Sequence, residues 1–160
     1  MAQITIPATA DPDATDDALA TQPIGYWSSV AGKAVTQHLR DAMARMDVTQ
    51  PQWWTINRVD VSGDGPTRED VVAQLASVAD GPYDISRVVD QLLHRGWLSI
   101  DTGAHLHLTD SGRAAKARIK QLVTDLREEI HSGITDEEYV AALKVLRRMI
   151  HNIDGAPGVG

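Results

Sequence analysis

Residues 82 to 112 constrain this chain more than any other stretch: Pro-Tyr-Asp-Ile-Ser-Arg-Val-Val-Asp-Gln-Leu-Leu-His-Arg-Gly-Trp-Leu-Ser-Ile, then Asp-Thr-Gly-Ala, then His-Leu-His-Leu-Thr-Asp-Ser-Gly. Ile85, Val88, Val89, Leu92 and Leu93 recur at spacings of three and four, the apolar stripe of an amphipathic helix. Pro82 suits its first turn, and Gly96 suits the left-handed position that follows its last. Trp97 to Ile100 and His105 to Leu108 then alternate in polarity on either side of Asp101-Thr102-Gly103, the composition of a tight hairpin turn. A new helix opens at Thr109. Helix, short hairpin and helix in that order predict a winged helix, in which the helix before the wing is the one placed in a DNA major groove.

The flanking sequence supplies the rest of such a domain. From Ile24, the residues Trp27, Ala31, Ala34, Val35, His38, Leu39, Ala42 and Met46 keep to one face, which predicts a helix of about six turns. Thr49-Gln50-Pro51-Gln52 has the capping-box pattern and opens a second helix through Trp53, Trp54 and Ile56. Thr67 and Asp70 cap a third, with Val71, Val72, Leu75 and Ala76 on its buried side, the support helix of a helix-turn-helix. Beyond the wing, Ile119, Leu122, Val123, Leu126 and Ile130 continue a helix to Ser132-Gly133. Thr135 to Glu138 is another capping box, and it opens a helix with Tyr139, Leu143, Leu146, Ile150 and Ile153 in heptad spacing. A seam sustained beyond an already sufficient core predicts a partner helix, for which the same helix of a second copy is the natural candidate; the alternative is packing against the chain's own first long helix.

The expected fold class is mainly α with a small β-hairpin wing: a winged helix-turn-helix plus a helical dimerisation region. Residues 1–21 are expected to be a disordered acidic tail, 22–153 the domain, and 154–160 a flexible C-terminal tail. Within the domain, 22–47 and 118–153 are the dimerisation helices and 49–117 the DNA-binding lobe.

The charge is less helpful. A net charge of -7 opposes nucleic acid binding, but residues 1–22 carry four Asp and no Lys or Arg, while residues 67–118 hold six basic against seven acidic side chains. No segment is a basic patch, so phosphate contact rests on a few well-placed cations. The chain has no cysteine, which removes disulfides, thiolate nucleophiles and thiol redox sensing. No apolar run reaches the ~20 residues of a membrane span, and no basic then apolar leader opens the chain, so a cytoplasmic location is expected.

Enzyme motifs are missing from the sequence: there is no glycine-rich phosphate loop, HExxH or CxxC. The acidic pairs Asp16-Asp17, Glu128-Glu129 and Glu137-Glu138 fall where solvation or capping explains them. The chain is therefore read as a binding protein with no cofactor and no catalytic residue. Arg87, on the polar face of the recognition helix, is the first candidate for a base contact, with an intrahelical pair to Asp84 or Asp90 as the alternative. Tyr83, Ser86 and Gln91 share its exposed side, and Arg68 and Arg113 are placed to hold phosphates. His105 and His107, two apart on a strand, point to one side; they are either solvated or, when protonated, contacts for phosphate. As metal ligands they are incomplete. Four tryptophans against no phenylalanine draw attention to Tyr26, Trp27, His38, Trp53 and Trp54 as a candidate ligand pocket, against the reading that they simply fill core.

The order of elements, Thr49-Gln50-Pro51-Gln52-Trp53, Ser86-Arg87-Val88-Val89-Asp90-Gln91-Leu92 with Arg95-Gly96-Trp97-Leu98, Leu108-Thr109-Asp110-Ser111-Gly112, and Thr135-Asp136-Glu137-Glu138 together resemble the MarR family of bacterial transcriptional regulators over roughly residues 22–153. The resemblance implies a homodimer built from the first and last helices, a pseudo-palindromic double-stranded operator, and repression relieved by a small aromatic or phenolic effector. It departs from the family at the wing, where Ser99 to His107 holds no Arg or Lys. That departure motivates the rival expectation, a winged-helix protein with weakened DNA binding that serves as a ligand-binding or protein-interaction module.

Overall fold

A computed structural model describes residues 14–61, 63–81 and 84–155. It contains, in order, helices α1 (Asp16–Ala20), α2 (Ile24–Arg45), α3 (Gln50–Val59), α4 (Arg68–Leu75) and α5 (Asp84–His94), strands β1 (Leu98–Ile100) and β2 (Leu106–Leu108), and helices α6 (Asp110–Ile130) and α7 (Asp136–Asp154). The chain is mainly α with one small hairpin, as the sequence predicts. It divides into two compact units, one through Leu122 and one from Val123.

The first unit is the winged helix. Capping begins its helices where the sequence indicates: Thr49 accepts from the Gln52 amide while Gln52 caps back onto Thr49, and Thr67 and Asp70 do the same for α4. Each reciprocal pair satisfies two amides that a helix start leaves without partners. α5 packs on both α3 and α4 and then on β1. Ile85, Val88, Val89 and Leu92 are its buried stripe, and they meet Ile56, Val59, Val71, Leu75, Leu98, Leu106 and Leu108 in one core. Met43 of α2 is also fully buried, although it is not in the apolar set predicted for that helix; only Ala42 of that set joins it, and Ala31, Ala34 and Val35 are exposed.

Gly96 ends α5 at φ +72°, with its amide bonded to the Leu93 carbonyl and the Trp97 amide to the Leu92 carbonyl. That pairing is a Schellman motif, and it favours glycine because a side chain is strained at this backbone angle. The chain emerges straight into β1, which pairs antiparallel with β2 in the register Leu98↔Leu108, Ser99↔His107 and Ile100↔Leu106. The connecting loop is longer than the expected three-residue turn: it runs Asp101 to His105, and the left-handed residue is Ala104 (φ +63°), not Gly103. The Asp101 carboxylate bonds the backbone amides of Gly103 and His105 and so closes the wider loop.

Residues 65–67 lie along β2. The Leu106 amide bonds the Pro66 carbonyl, and Thr67 bridges to His105. A Cβ on Gly65 would stand 2.0 Å from the Leu106 carbonyl oxygen, so this close approach requires glycine.

The N-terminal expectation needs correcting in part. Asp16–Ala20 is helical, because Thr15 caps the Ala18 amide and Asp16 and Asp17 oppose the positive end of the helix. Residues 1–13 and 156–160 of the two expected tails lie outside the described residues, as do Pro82 and the turn residue Ser62.

In the second unit, α6 gives way to α7 through His131, Ser132 and Gly133 (φ +75°), and Thr135 with Glu138 forms the predicted capping box. Tyr139 stacks on His131 at 4.5 Å, with the Arg127 guanidinium 5.3 Å from its ring. The first residue of the predicted seam thus serves the chain's own turn. Leu143, Ile150 and Ile153 are exposed, at 42%, 59% and 75%. No described helix is long and apolar enough to cross a membrane.

Candidate nucleic-acid interface

α5 is held on both flanks by polar side chains from its neighbours. From α4, Arg68 donates to the Ser86 carbonyl at 2.8 Å, to the Ser86 hydroxyl at 3.2 Å, and to Asp90 at 2.7 Å. From α3, the buried Gln52 amide donates to Gln91 at 3.2 Å, and its oxygen accepts from the Thr49 amide and from Arg95. Beyond the end of the helix, Arg95 bonds the Asp47 carbonyl at 2.6 Å and lies 3.7 Å over the Trp97 ring. Buried polar side-chain atoms left without partners are costly, and among the described residues none is found.

These contacts leave one face of α5 free. At 100° per residue, Arg87 and His94 point away from the buried stripe, two turns and about 10 Å apart along the axis. Arg87 is exposed and makes no ion pair among the described residues. The alternative of a pair with Asp84 or Asp90 is not realised among the described residues, and Asp90 is instead taken by Arg68. His94 was not among the predicted site residues; its position seven residues from Arg87 was the signal available in the sequence.

The remaining candidates are engaged. Arg68 is a clamp between α4 and α5, Ser86 is its acceptor, and Gln91 ties α5 to α3. Arg113 pairs with Asp110 on the exposed first turn of α6 at 3.2 Å, and Lys116 pairs with Asp60. Tyr83 lies outside the described residues.

At the wing, His107 Nε2 lies 2.8 Å and His105 Nδ1 3.4 Å from opposite oxygens of Asp101. The two imidazoles do face one way, as strand alternation requires, and what they face is this carboxylate. The His107 ring and the His105 amide hold the Asp101 carboxyl down at about 2, below its usual 3.8. Among the described residues no metal cluster forms.

The predicted aromatic pocket is not gathered into one chamber. Tyr26 and Trp27 pack edge to face at 5.3 Å, and the Trp27 indole donates to Gln22. His38 lies twelve residues further along α2, about 18 Å at the helical rise. Trp54 lines a recess of about 270 Å³ with Arg40, Ala44, Val48, Thr49, Gln50, Pro51 and Asp80, while Trp53 is half-buried outside that lining. Adjacent helical positions diverge by 100°, which is why the two tryptophans part. A recess of about 440 Å³ between α4 and the start of α5 is lined by Val72, Ala73, Ala76, Ala79, Gly81 and Ile85, none of them a predicted ligand residue.

No protein-family model matches the chain. Solved structures do. A Listeria innocua protein of unknown function aligns over 81% of this chain and 91% of its own at 20% identity and a TM-score of 0.65. The reduced form of Escherichia coli MarR aligns over 80% of this chain and 92% of its own, at 24% identity and 0.61. A Mycobacterium tuberculosis MarR family protein, solved in complex with DNA and also with p-aminosalicylic acid, aligns in its DNA complex over 79% of this chain and 97% of its own, at 20% identity and 0.63. At these identities the likeness is one of fold, and the chain has the winged-helix fold of the MarR-family transcriptional regulators.

Proposed function

We propose that this protein is a homodimeric, DNA-binding transcriptional regulator whose α5 enters the major groove. The observation that carries the reading is Arg87: an exposed cation, unpaired among the described residues, on the outer face of a helix whose two flanks are clamped from below. A guanidinium so presented suits bidentate bonding to a guanine edge. That a mycobacterial neighbour of the same fold was solved in complex with DNA supports DNA binding as such. Dimerisation through α2 and α7 is supported by apolar side chains that the single chain leaves in water, Val30 and Val35 on α2 and Leu143, Ile150 and Ile153 on α7. Repression, with relief by a small aromatic or phenolic effector, is the output we favour. The Trp54 recess with Arg40 on its rim is the effector site, a revision of the five-residue pocket expected from sequence.

The test is duplex binding by Arg87→Ala. Loss of one base contact should cost about 1 to 3 kcal/mol on a specific site and relax specificity at one position per half-site. Equal affinity of Arg87→Ala and the parent protein for every duplex would contradict the reading. A protein-interaction module is the second reading, favoured by Arg68 and Arg113 both being spent on carboxylates. Its signature would be the absence of duplex binding that falls steeply with salt.

A further inference from the structure

The wing lacks Arg and Lys from Ser99 to His107, so its only possible cations are His105 and His107, and both are arranged around one acid. Asp101 is fixed there by the backbone amides of Gly103 and His105. It therefore stays anionic and in place whatever the imidazoles do. Each ring spends one nitrogen on it, Nε2 of His107 and Nδ1 of His105, and each is partly open to solvent, with 38% and 36% of its side chain exposed. The second nitrogen of each ring is the one not spent on Asp101.

Chemistry then decides what that second nitrogen can do. In a neutral imidazole the single N–H is drawn to the nitrogen facing the carboxylate, leaving the outer nitrogen a bare acceptor, which repels a phosphate oxygen. In an imidazolium both nitrogens donate. With Asp101 counted, the wing tip passes from one net negative charge to one net positive charge as both rings take up protons. Asp70 of α4 is the other carboxylate whose charge acts on His105, and the 65–67 segment packed against β2 contributes no titratable group.

Resting on the DNA-binding reading above, we propose that the wing is a proton-gated phosphate-binding surface: His105 and His107 contact the DNA backbone only when protonated, so that operator affinity rises as the pH falls below neutrality. The wing then adds a pH response to a recognition helix whose own contact, through Arg87, is permanently charged.

The probe is a random-sequence duplex of about 25 base pairs at low salt, because phosphate contacts require no particular sequence. Binding by the full chain should tighten about tenfold or more between about pH 8 and about pH 6, since each linked proton contributes up to tenfold per unit. His105→Gln with His107→Gln should reduce that change to less than about twofold, and His105→Lys with His107→Lys should bind at the higher pH as the parent does at the lower. Circular dichroism checks that each variant is folded. Duplex binding that is flat with pH, or a pH response that survives in the double glutamine variant, overturns the proposal while leaving the regulator reading intact. A folded parent protein that binds no duplex at either pH overturns both.

Discussion

Arg68 and Arg87 lie nineteen positions apart, carry the same group, and have opposite fates. The first is consumed by Ser86 and Asp90 and sets where α5 sits; the second faces outward with no ion pair among the described residues. Sequence periodicity places Arg87 on the polar face, and that much was legible. The clamp by Arg68 was not, because it depends on how α4 crosses α5, a tertiary fact that spacing along either helix does not carry. The same limit hid the roles of Gln52, Gln91 and Arg95, three polar residues meeting across α3 and α5. His105 and His107 were legible as a pair with one orientation, but not as partners of Asp101, since the five-residue loop that brings the acid round depends on Ala104 taking a left-handed angle that its side chain does not favour. Asp101 yields a prediction at this scale. Its carboxyl is held at about 2 against the usual 3.8, so its bonds contribute fully above the ordinary value and are lost as the pH falls from about 3.8 towards about 2. Amide exchange at Gly103 and His105 should accelerate through that acid window, and in Asp101→Asn it should be insensitive to pH there once the intrinsic rate is divided out. Unchanged protection of the parent protein across the window would contradict this.

At the scale of elements, the strongest signals were those with two independent markers. Capping boxes at Thr49, Thr67 and Thr135, each followed by an apolar repeat, begin helices where expected, and Gly96 ends α5 as expected. The short α1 was missed because a five-residue helix has too few turns to show a period. The wing's third line of support, residues 65–67 against β2, was also invisible, since a loop segment with a single bridge lacks alternation. Gly65 tests this part of the architecture. In Gly65→Ala the new Cβ meets the Leu106 carbonyl oxygen, a backbone atom that cannot swing aside, and overpacking of this kind typically costs about 1 to 3 kcal/mol. Urea denaturation should show a lower midpoint with the slope unchanged. A midpoint equal to that of the parent would mean that the 65–67 segment does not hold the wing.

For the whole molecule, the sequence indicated a winged helix-turn-helix followed by long helices, and the solved structures it resembles share its fold. It was less able to indicate a pocket, because a cavity is the space left by elements whose packing is not written in their periodicity. Five aromatic and histidine positions suggested one chamber, and the structure distributes them along α2 and α3. The heptad on α7 leaves Leu146 half-buried between exposed Leu143 and Ile150. Leu146→Glu should therefore keep the helix content but sediment as a monomer, since a carboxylate at an apolar interface is costly. A parent protein already monomeric at micromolar concentration would contradict the dimer.

The most direct test is selection of genomic fragments by the tagged parent protein at low salt, run beside Arg87→Ala. The regulator account predicts an enriched pseudo-palindrome with half-sites about 10 base pairs apart, one position of which loses its preference in the variant. Recovery of no enriched sequence by the folded parent protein would contradict it.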